Sequence, residues 1–431
     1  MAATHYVVTN NPTASDPYTS WATAGTNIIE VVNAALTNTG AKMIWVTNGT
    51  YYLSNQVAVS SALTLQSVNG RDVTIVDGNN YDGKPVTNRC FYITASGTVL
   101  DGFTIANGYN IDKQGKGGGL YCEAGTTVKN CRITGCVCTN TTYTGFYDPV
   151  IYGAGIYITG GVLTNCEIVG NINYNYGASV YAGAGALVAN CTIVSNRCYK
   201  PPTVFGEQYG AGICVDGAGT VVQNCTIYDN IASGEYGGGV HLRAGAIIRN
   251  SLIYGNSAIY GGGIAIYPGA PGGVPKIQNC TVVSNTASVA GGGIFIWVRV
   301  TDPATSSVEN VISYLNTCSG GTTSNFYFSL STPGGCWIVN SCIAPTNAFP
   351  TSGLPGYYYA NNTEANPQFA GKDTGDWRLT KTSPCVNAGT NETWMDGAVD
   401  LDLHSRIDRF SRIADMGCYE YLLRGTMLSG R

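Results

Sequence analysis

A short glycine signature recurs through the middle of the chain, and its spacing limits the fold more than any other feature. It stands at Gly117-Gly118-Gly119, Gly153-Ala154-Gly155, Gly177-Ala178-Ser179, Gly210-Ala211-Gly212, Gly237-Gly238-Gly239, Gly261-Gly262-Gly263 and Gly291-Gly292-Gly293, each time followed by an apolar, any, apolar triplet. A second mark trails it at Asn130-Cys131, Asn165-Cys166, Asn190-Cys191, Asn224-Cys225 and Asn279-Cys280, with weaker copies at Asn250-Ser251, Asn310-Val311 and Asn340-Ser341. Successive asparagines of this mark lie 25 to 35 residues apart, which is a solenoid period with connections of varying length.

Inside one repeat the apolar residues alternate. In Gly237 to Asn256, Val240 and Leu242 alternate with His241 and Arg243, and Ile248, Ser251 and Ile253 continue the pattern after a short turn. Strands this short bury a face only by stacking on the next repeat, about 4.8 Å away, with parallel hydrogen bonding. Parallel crossovers are right-handed. The reading is therefore an all-β right-handed parallel β-helix. Residues 1–56 form an N-terminal cap, 57–345 the helix, and 346–431 a C-terminal cap or appended module. Cys131, Cys166, Cys191, Cys225 and Cys280 become an inward column of small buried residues. Asn171, Asn196, Asn230, Asn256, Asn285 and Asn316 stack at the turn after the second strand, where their amides satisfy one another.

The cap is expected to hold a helix capped by Asn27 with Glu30 three residues on. Ile28, Ile29, Val32, Ala35 and Leu36 would line one face and close the open end of the core, with the helix ending near Gly40. Charged residues are only 11% of the chain and net charge is −4 without a Lys/Arg run, which argues against nucleic acid as a partner. No apolar stretch approaches a membrane span, and MAATHYVV lacks the regions of a signal peptide, so an export signal is expected to have been removed. One cysteine per repeat does not supply a zinc tetrahedron, and no metal site is expected. Of the sixteen cysteines, Cys385 and Cys418 lie outside the regular coils and are the expected disulfide.

Both ends also resemble a known group. Tyr6-Val7-Val8, Pro17 to Ala24 and Val46 to Tyr51 resemble the opening of bacterial surface proteins with pectin-lyase-like β-helices. Trp377-Arg378-Leu379, Ser383 to Gly389 and Asp415 to Glu420 resemble the "choice-of-anchor Q" module that closes many of them. The resemblance implies an exported protein, extracellular or at the cell surface. It does not choose an activity, because such folds host lyases, hydrolases, epimerases and adhesins. The calcium-binding Asp cluster with catalytic Arg of pectate lyases and the paired Asp of polygalacturonases are not found here.

Variable connections before the glycine signature fall on one side of the solenoid and carry aromatic residues, among them Tyr147 and Tyr174. The outward positions after the signature add Tyr121, Tyr157, Tyr181 and Phe295, with Trp297 two residues further on. Such a groove suits the apolar faces of sugar rings; the alternative is that outward tyrosines reflect strand propensity and stacking. Tyr152, Tyr176, Tyr209, Tyr236 and Tyr260 form a further column with a structural reading. His241, Arg243, Asp216 and Glu235 fall in neighbouring coils. His241 or Tyr181 as base, Arg243 as charge partner, and Asp216 and Glu235 as acids would make a glycosidic-bond-cleaving set, with calcium if the enzyme is a lyase. The alternative is a polar face with Asp216 paired to Arg243. The expected function is a non-catalytic protein that binds polysaccharide or a cell-surface glycan, or serves as a structural element. A polysaccharide lyase or hydrolase is the second reading. The expected state is a monomer, with assembly through solenoid ends as the alternative.

Overall fold

The computed structural model describes residues 3–79, 88–111, 115–139, 152–174, 177–199, 210–234, 236–267, 273–297, 306–320, 324–329, 335–344 and 357–422. Each regular coil has four short strands, as in Val180–Gly183, Leu187–Ala189, Thr192–Val194 and Arg197–Cys198. Stacked coil on coil, they build four parallel sheets of ten, thirteen, eleven and eight strands, here sheets 1 to 4 in the order the chain visits them. One apolar core runs from Val7 to Ile343.

The glycine signature precedes each strand of sheet 1 because neighbouring coils approach there backbone to backbone. A Cβ on Gly238 would stand 2.4 Å from the carbonyl oxygen of Gly262, and Gly237 has φ +72°. The Asn-Cys mark has a comparable cause. Asn130, Asn165, Asn190, Asn224, Asn250, Asn279, Asn310 and Asn340 all have φ between +47° and +56°, the left-handed bend from sheet 2 into sheet 3 that asparagine tolerates. The cysteines behind them point inward and are buried, each thiol lying near backbone carbonyls such as Cys191 Sγ to Ala189 O at 3.2 Å. Burial pushes the Cys131, Cys166, Cys191 and Cys280 thiols up, so they stay protonated and inert.

The inner asparagine ladder forms as expected. Each side-chain oxygen accepts the backbone N–H of the preceding rung, at 2.9–3.0 Å from Asn171 to Asn316. Asn325, outside the expected column, ends it by accepting from Asn316 N. A second ladder was not anticipated: the left-handed asparagines also join side chain to side chain on the outside, as Asn224 Nδ2 to Asn190 Oδ1 (3.2 Å) and Asn250 Nδ2 to Asn224 Oδ1 (2.7 Å).

At the N-terminal end, α1 (Ile28–Leu36) buries Ile28, Val31, Val32 and Ala35 against the first coils. Asn27 caps it through Ile29 N, while Glu30 meets the Asn27 side-chain amide rather than its backbone. The helix ends at Leu36, before Gly40. Coil strands begin earlier than residue 57 and end later than 345: Ala3–Val7, Lys42–Val46 and Tyr357–Ala360 all belong to sheet 2, and Gly49–Tyr52 opens sheet 3.

Beyond Tyr357–Ala360, the last strand of sheet 2, the described tail lies along the flank of the solenoid. One outward column of sheet 3 reads Arg132, Glu167, Thr192, Thr226, Leu252, Thr281, Ile312 and Cys342 in register. It turns mainly apolar where the tail covers it. Leu252 and Val283 pack with Trp377 and Cys418, and Ile312 and Cys342 with Leu379, Cys385 and Met416. Burying a side chain such as Leu252 or Ile312 stabilises the contact by about 1.5–3 kcal/mol. Asn250, Asn279 and Asn310 donate to the tail carbonyls of Val399, Asp415 and Thr390 at 2.7, 3.2 and 2.7 Å. Inside the tail, fully buried Arg406 pairs with Glu420 at 2.9 Å. Burial pushes the Glu420 carboxyl up to about 8, with Arg406 offsetting part of the cost.

The expected Cys385–Cys418 disulfide is corrected by this packing. All sixteen cysteines are free thiols, and Cys385 and Cys418 sit in two separate clusters, Cys385 beside Cys342 on the coil.

Candidate functional site

Alternation along sheet 1 sends Tyr92, Tyr121, Tyr157 and Tyr181 outward in register. The inter-strand spacing then stacks their rings, with centroids 4.8, 5.2 and 4.9 Å apart and planes within 21°, 2° and 3° of parallel. The column continues as Cys214, His241, Ala265, Phe295 and Tyr327. Phe295 and Tyr327 stack again, at 5.6 Å. Tyr92 and Tyr327 were missed in the sequence because the glycine signature does not precede them, although the register places them in the same column.

Stacking changes what the tyrosines offer. The inner rings, Tyr121 and Tyr157, spend their faces on each other and on their neighbours, so they offer no platform for a sugar face; Tyr121 presents its edge and hydroxyl, while Tyr157 is buried. Tyr121 donates to Glu123 at 3.0 Å, and Tyr181 donates to Asp216 at 3.2 Å. Cations sit beside the column: Arg89 lies 5.2 Å from the Tyr92 ring centroid and Lys116 4.9 Å from that of Tyr157.

The proposed catalytic residues are brought together only in part. Arg243 Nη1 meets Asp216 Oδ2 at 3.2 Å, the same oxygen that accepts from Tyr181, so this carboxylate is held by two donors. Their side chains are 14% and 19% exposed. His241 faces outward by register yet is fully buried, flanked by Tyr236 and Tyr267, with Nδ1 3.9 Å from Cys214 Sγ. Burial, with Arg243 nearby, lowers its pKa well below the usual imidazole value, so it is neutral. Burial pushes the Tyr181 phenol far up, with Cys214 and Asp216 adding to it, so Tyr181 donates a hydrogen bond and is no base at neutral pH. Glu235 and Tyr147 lie outside the described residues, as do Tyr176 and Tyr209.

The other expected groove residues divide. Trp297 meets Tyr267 edge-on at 5.3 Å and Tyr236 at 5.5 Å; Phe295 is buried against Tyr236 and Tyr260. Tyr174 is 44% exposed and stacks on Tyr199 at 5.4 Å, after sheet 4 and apart from the tyrosine column. Of the structural tyrosine column, Tyr236 and Tyr260 stack at 5.4 Å, whereas Tyr152 packs on Tyr181 at 4.3 Å.

Among the described residues one group has the composition of a metal site: Asp400, Asp402 and His404, in the tail. Its carboxylate oxygens already accept hydrogen bonds, whereas His404 Nδ1 has no hydrogen-bond partner among the described residues and lies 3.5 Å from Asp400 Oδ2. Asp400 Oδ1 accepts from the backbone of Asp402 and His404, Asp400 Oδ2 from Glu420 N, and Asp402 takes both arms of Arg378 at 2.6 and 2.7 Å.

Residues 119–312 match the family model for the right handed beta helix region. The crystal structure of pectate lyase Pel9A aligns over 97% of this chain and 96% of its own, with a TM-score of 0.51 and 12% identity. The fold is a pectin-lyase-like right-handed β-helix. The complex of XylC with xylose gives a similar alignment, 97% and 98% of the two chains at a TM-score of 0.50 and 10% identity. At such identities the likeness of this β-helix to its neighbours is one of fold. No curated protein sequence matches the chain. Among the described residues, no helix of the β-helix protein is long and apolar enough to cross a membrane.

Proposed function

We propose that this β-helix is an exported, surface-associated protein that binds polysaccharide along the outer face of sheet 1. The observation that carries the reading is the tyrosine column, with its hydroxyls, Glu123, Asp216, Arg89 and Lys116 set along the axis coil by coil. The inter-strand repeat of about 4.8 Å is close to the length of one pyranose unit, so a glycan chain laid along the axis meets a similar set of edges at each sugar. Such a face gives many weak polar contacts rather than one deep pocket.

Binding is favoured over catalysis by the state of the charged groups. Asp216 is held by two donors, Tyr181 is protonated, and His241 is buried and neutral, so these three described groups do not form an open general acid and base pair. The test is affinity electrophoresis against a polysaccharide panel, with product release followed in parallel. The Lys116→Ala/Glu123→Gln double variant, which leaves the stacked rings in place, should weaken binding of the retained polysaccharide about tenfold. Unchanged retention would reject the site. Product release that is lost in Asp216→Asn would establish the lyase or hydrolase reading instead.

A further inference from the structure

We infer that the notch where the tail lifts off the coil is a second site, one that binds a neutral pyranose. The notch is a cavity of about 570 Å³ between sheet 3 and the tail, lined by Asn190, Thr192 and Thr226 on the coil and by Arg378, Asp402 and Tyr419 on the tail. It is independent of the sheet 1 face, since it lies two sheets further round the coil.

Unused hydrogen-bonding capacity marks the notch. Along the outer asparagine ladder the side-chain amides of Asn224, Asn250, Asn279 and Asn310 donate to the preceding rung or to a tail carbonyl. Asn190 breaks the series: its oxygen accepts from Asn224, but among the described residues its Nδ2 has no partner, and no bond joins it to Asn165. Thr192 and Thr226 are register neighbours on sheet 3, and neither hydroxyl has a protein partner among the described residues. One coil further on, the same column holds Leu252, already covered by the tail. The last uncovered coils therefore keep open donors and acceptors directly beside a fixed wall.

The opposite wall is built rather than adaptable. Arg378 is gripped by Asp402 through two bonds and by Asp376 at 3.0 Å, and its guanidinium lies 5.2 Å from the Tyr419 ring centroid. Planar, pre-oriented donors and acceptors facing two hydroxyls and an amide are the chemistry that recognises vicinal hydroxyls. The charge balance selects against acidic sugars. One guanidinium faces the carboxylates of Asp376 and Asp402, with buried Asp400 behind them, so a ligand carboxylate would meet net negative charge.

Isothermal titration with methyl β-D-xylopyranoside, methyl β-D-glucopyranoside, methyl β-D-galactopyranoside and galacturonate tests the assignment. At least one neutral glycoside should bind saturably at one site per chain, with Kd on the order of 1 mM. The Thr192→Val/Thr226→Val variant keeps β-branched residues in both strands and should lose about tenfold or more in affinity. Asn190→Gly, which keeps the left-handed bend, should also weaken binding. Lys116→Ala/Glu123→Gln should leave it unchanged, so that failure of the sheet 1 site and failure of the notch are read separately. The inference is overturned if no neutral glycoside saturates, if the threonine variant binds as the parent does, or if galacturonate binds most tightly.

Discussion

Asn230→Ala measures how far the inner ladder holds the coils together. The Asn230 side chain is fully buried and makes five bonds. Its oxygen accepts from Asn196 N (3.0 Å) and Asn196 Nδ2 (2.9 Å), and its nitrogen donates to Ile193 O, Tyr228 O and Asn256 Oδ1 (3.0, 3.0 and 2.9 Å). Truncation does not orphan all of these partners. Asn196 Nδ2 keeps Ile168 O, and Asn256 Oδ1 keeps the backbone N–H of residue 230. The Asn196 backbone N–H loses its acceptor in a place water does not reach, at about 1–3 kcal/mol, and the remaining net loss brings the total to about 2–5 kcal/mol. Asn190→Gly is the matched control on the outer ladder: it is exposed, and glycine accepts its φ of +54°, so the cost should stay below about 1 kcal/mol. Urea unfolding followed by circular dichroism gives both values, and hydrogen exchange at the Asn196 amide reports the local opening. If Asn230→Ala falls within about 0.5 kcal/mol of the parent, or costs no more than Asn190→Gly, the ladder is not what holds neighbouring coils.

Two further outcomes follow from the burial pattern. His241 has a folded-state pKa below its unfolded value, so its contribution to stability is present above about pH 6.5. As pH falls below that value the unfolded chain takes up a proton that the folded chain refuses, and stability drops by up to about 1.4 kcal/mol per pH unit; His241→Phe should remove this component from the difference between pH 7.5 and 5. Thiol titration in denaturant should count sixteen cysteines, and in the native protein Cys318, the one cysteine that is not buried, should react first. A denatured count of fourteen would mean that a disulfide had formed.

Features repeated in every coil were legible in the sequence, because a solenoid imposes the same constraint each time. The glycine signature, the inward cysteines and Asn171 to Asn316 all fall where the repeat places them. Single-copy features were not. His241 is outward by alternation, but its burial depends on Tyr236, just ahead of its own strand, and on Tyr267 from the next coil. Cys385 and Cys418 share only the property of lying outside the coils, which says nothing of whether they face each other. The docking of the tail did leave a trace, the change from Arg132 and Glu167 to Leu252 and Ile312 down one column. That trace is visible only once the register aligns residues about thirty apart. The outer ladder was hidden because its asparagines had a sufficient explanation as markers of the repeat.

The flank clamp also fixes an order of events during synthesis. Its bonds join residues 80 to 149 positions apart, from Asn310 with Thr390 to Asn250 with Val399. Coils emerging from the ribosome can wind one upon another at once, but Leu252 and Ile312 stay wet until the final stretch is translated. A nascent chain therefore carries a greasy seam for as long as the last third takes to appear, and a premature stop would leave that seam permanently open to its neighbours.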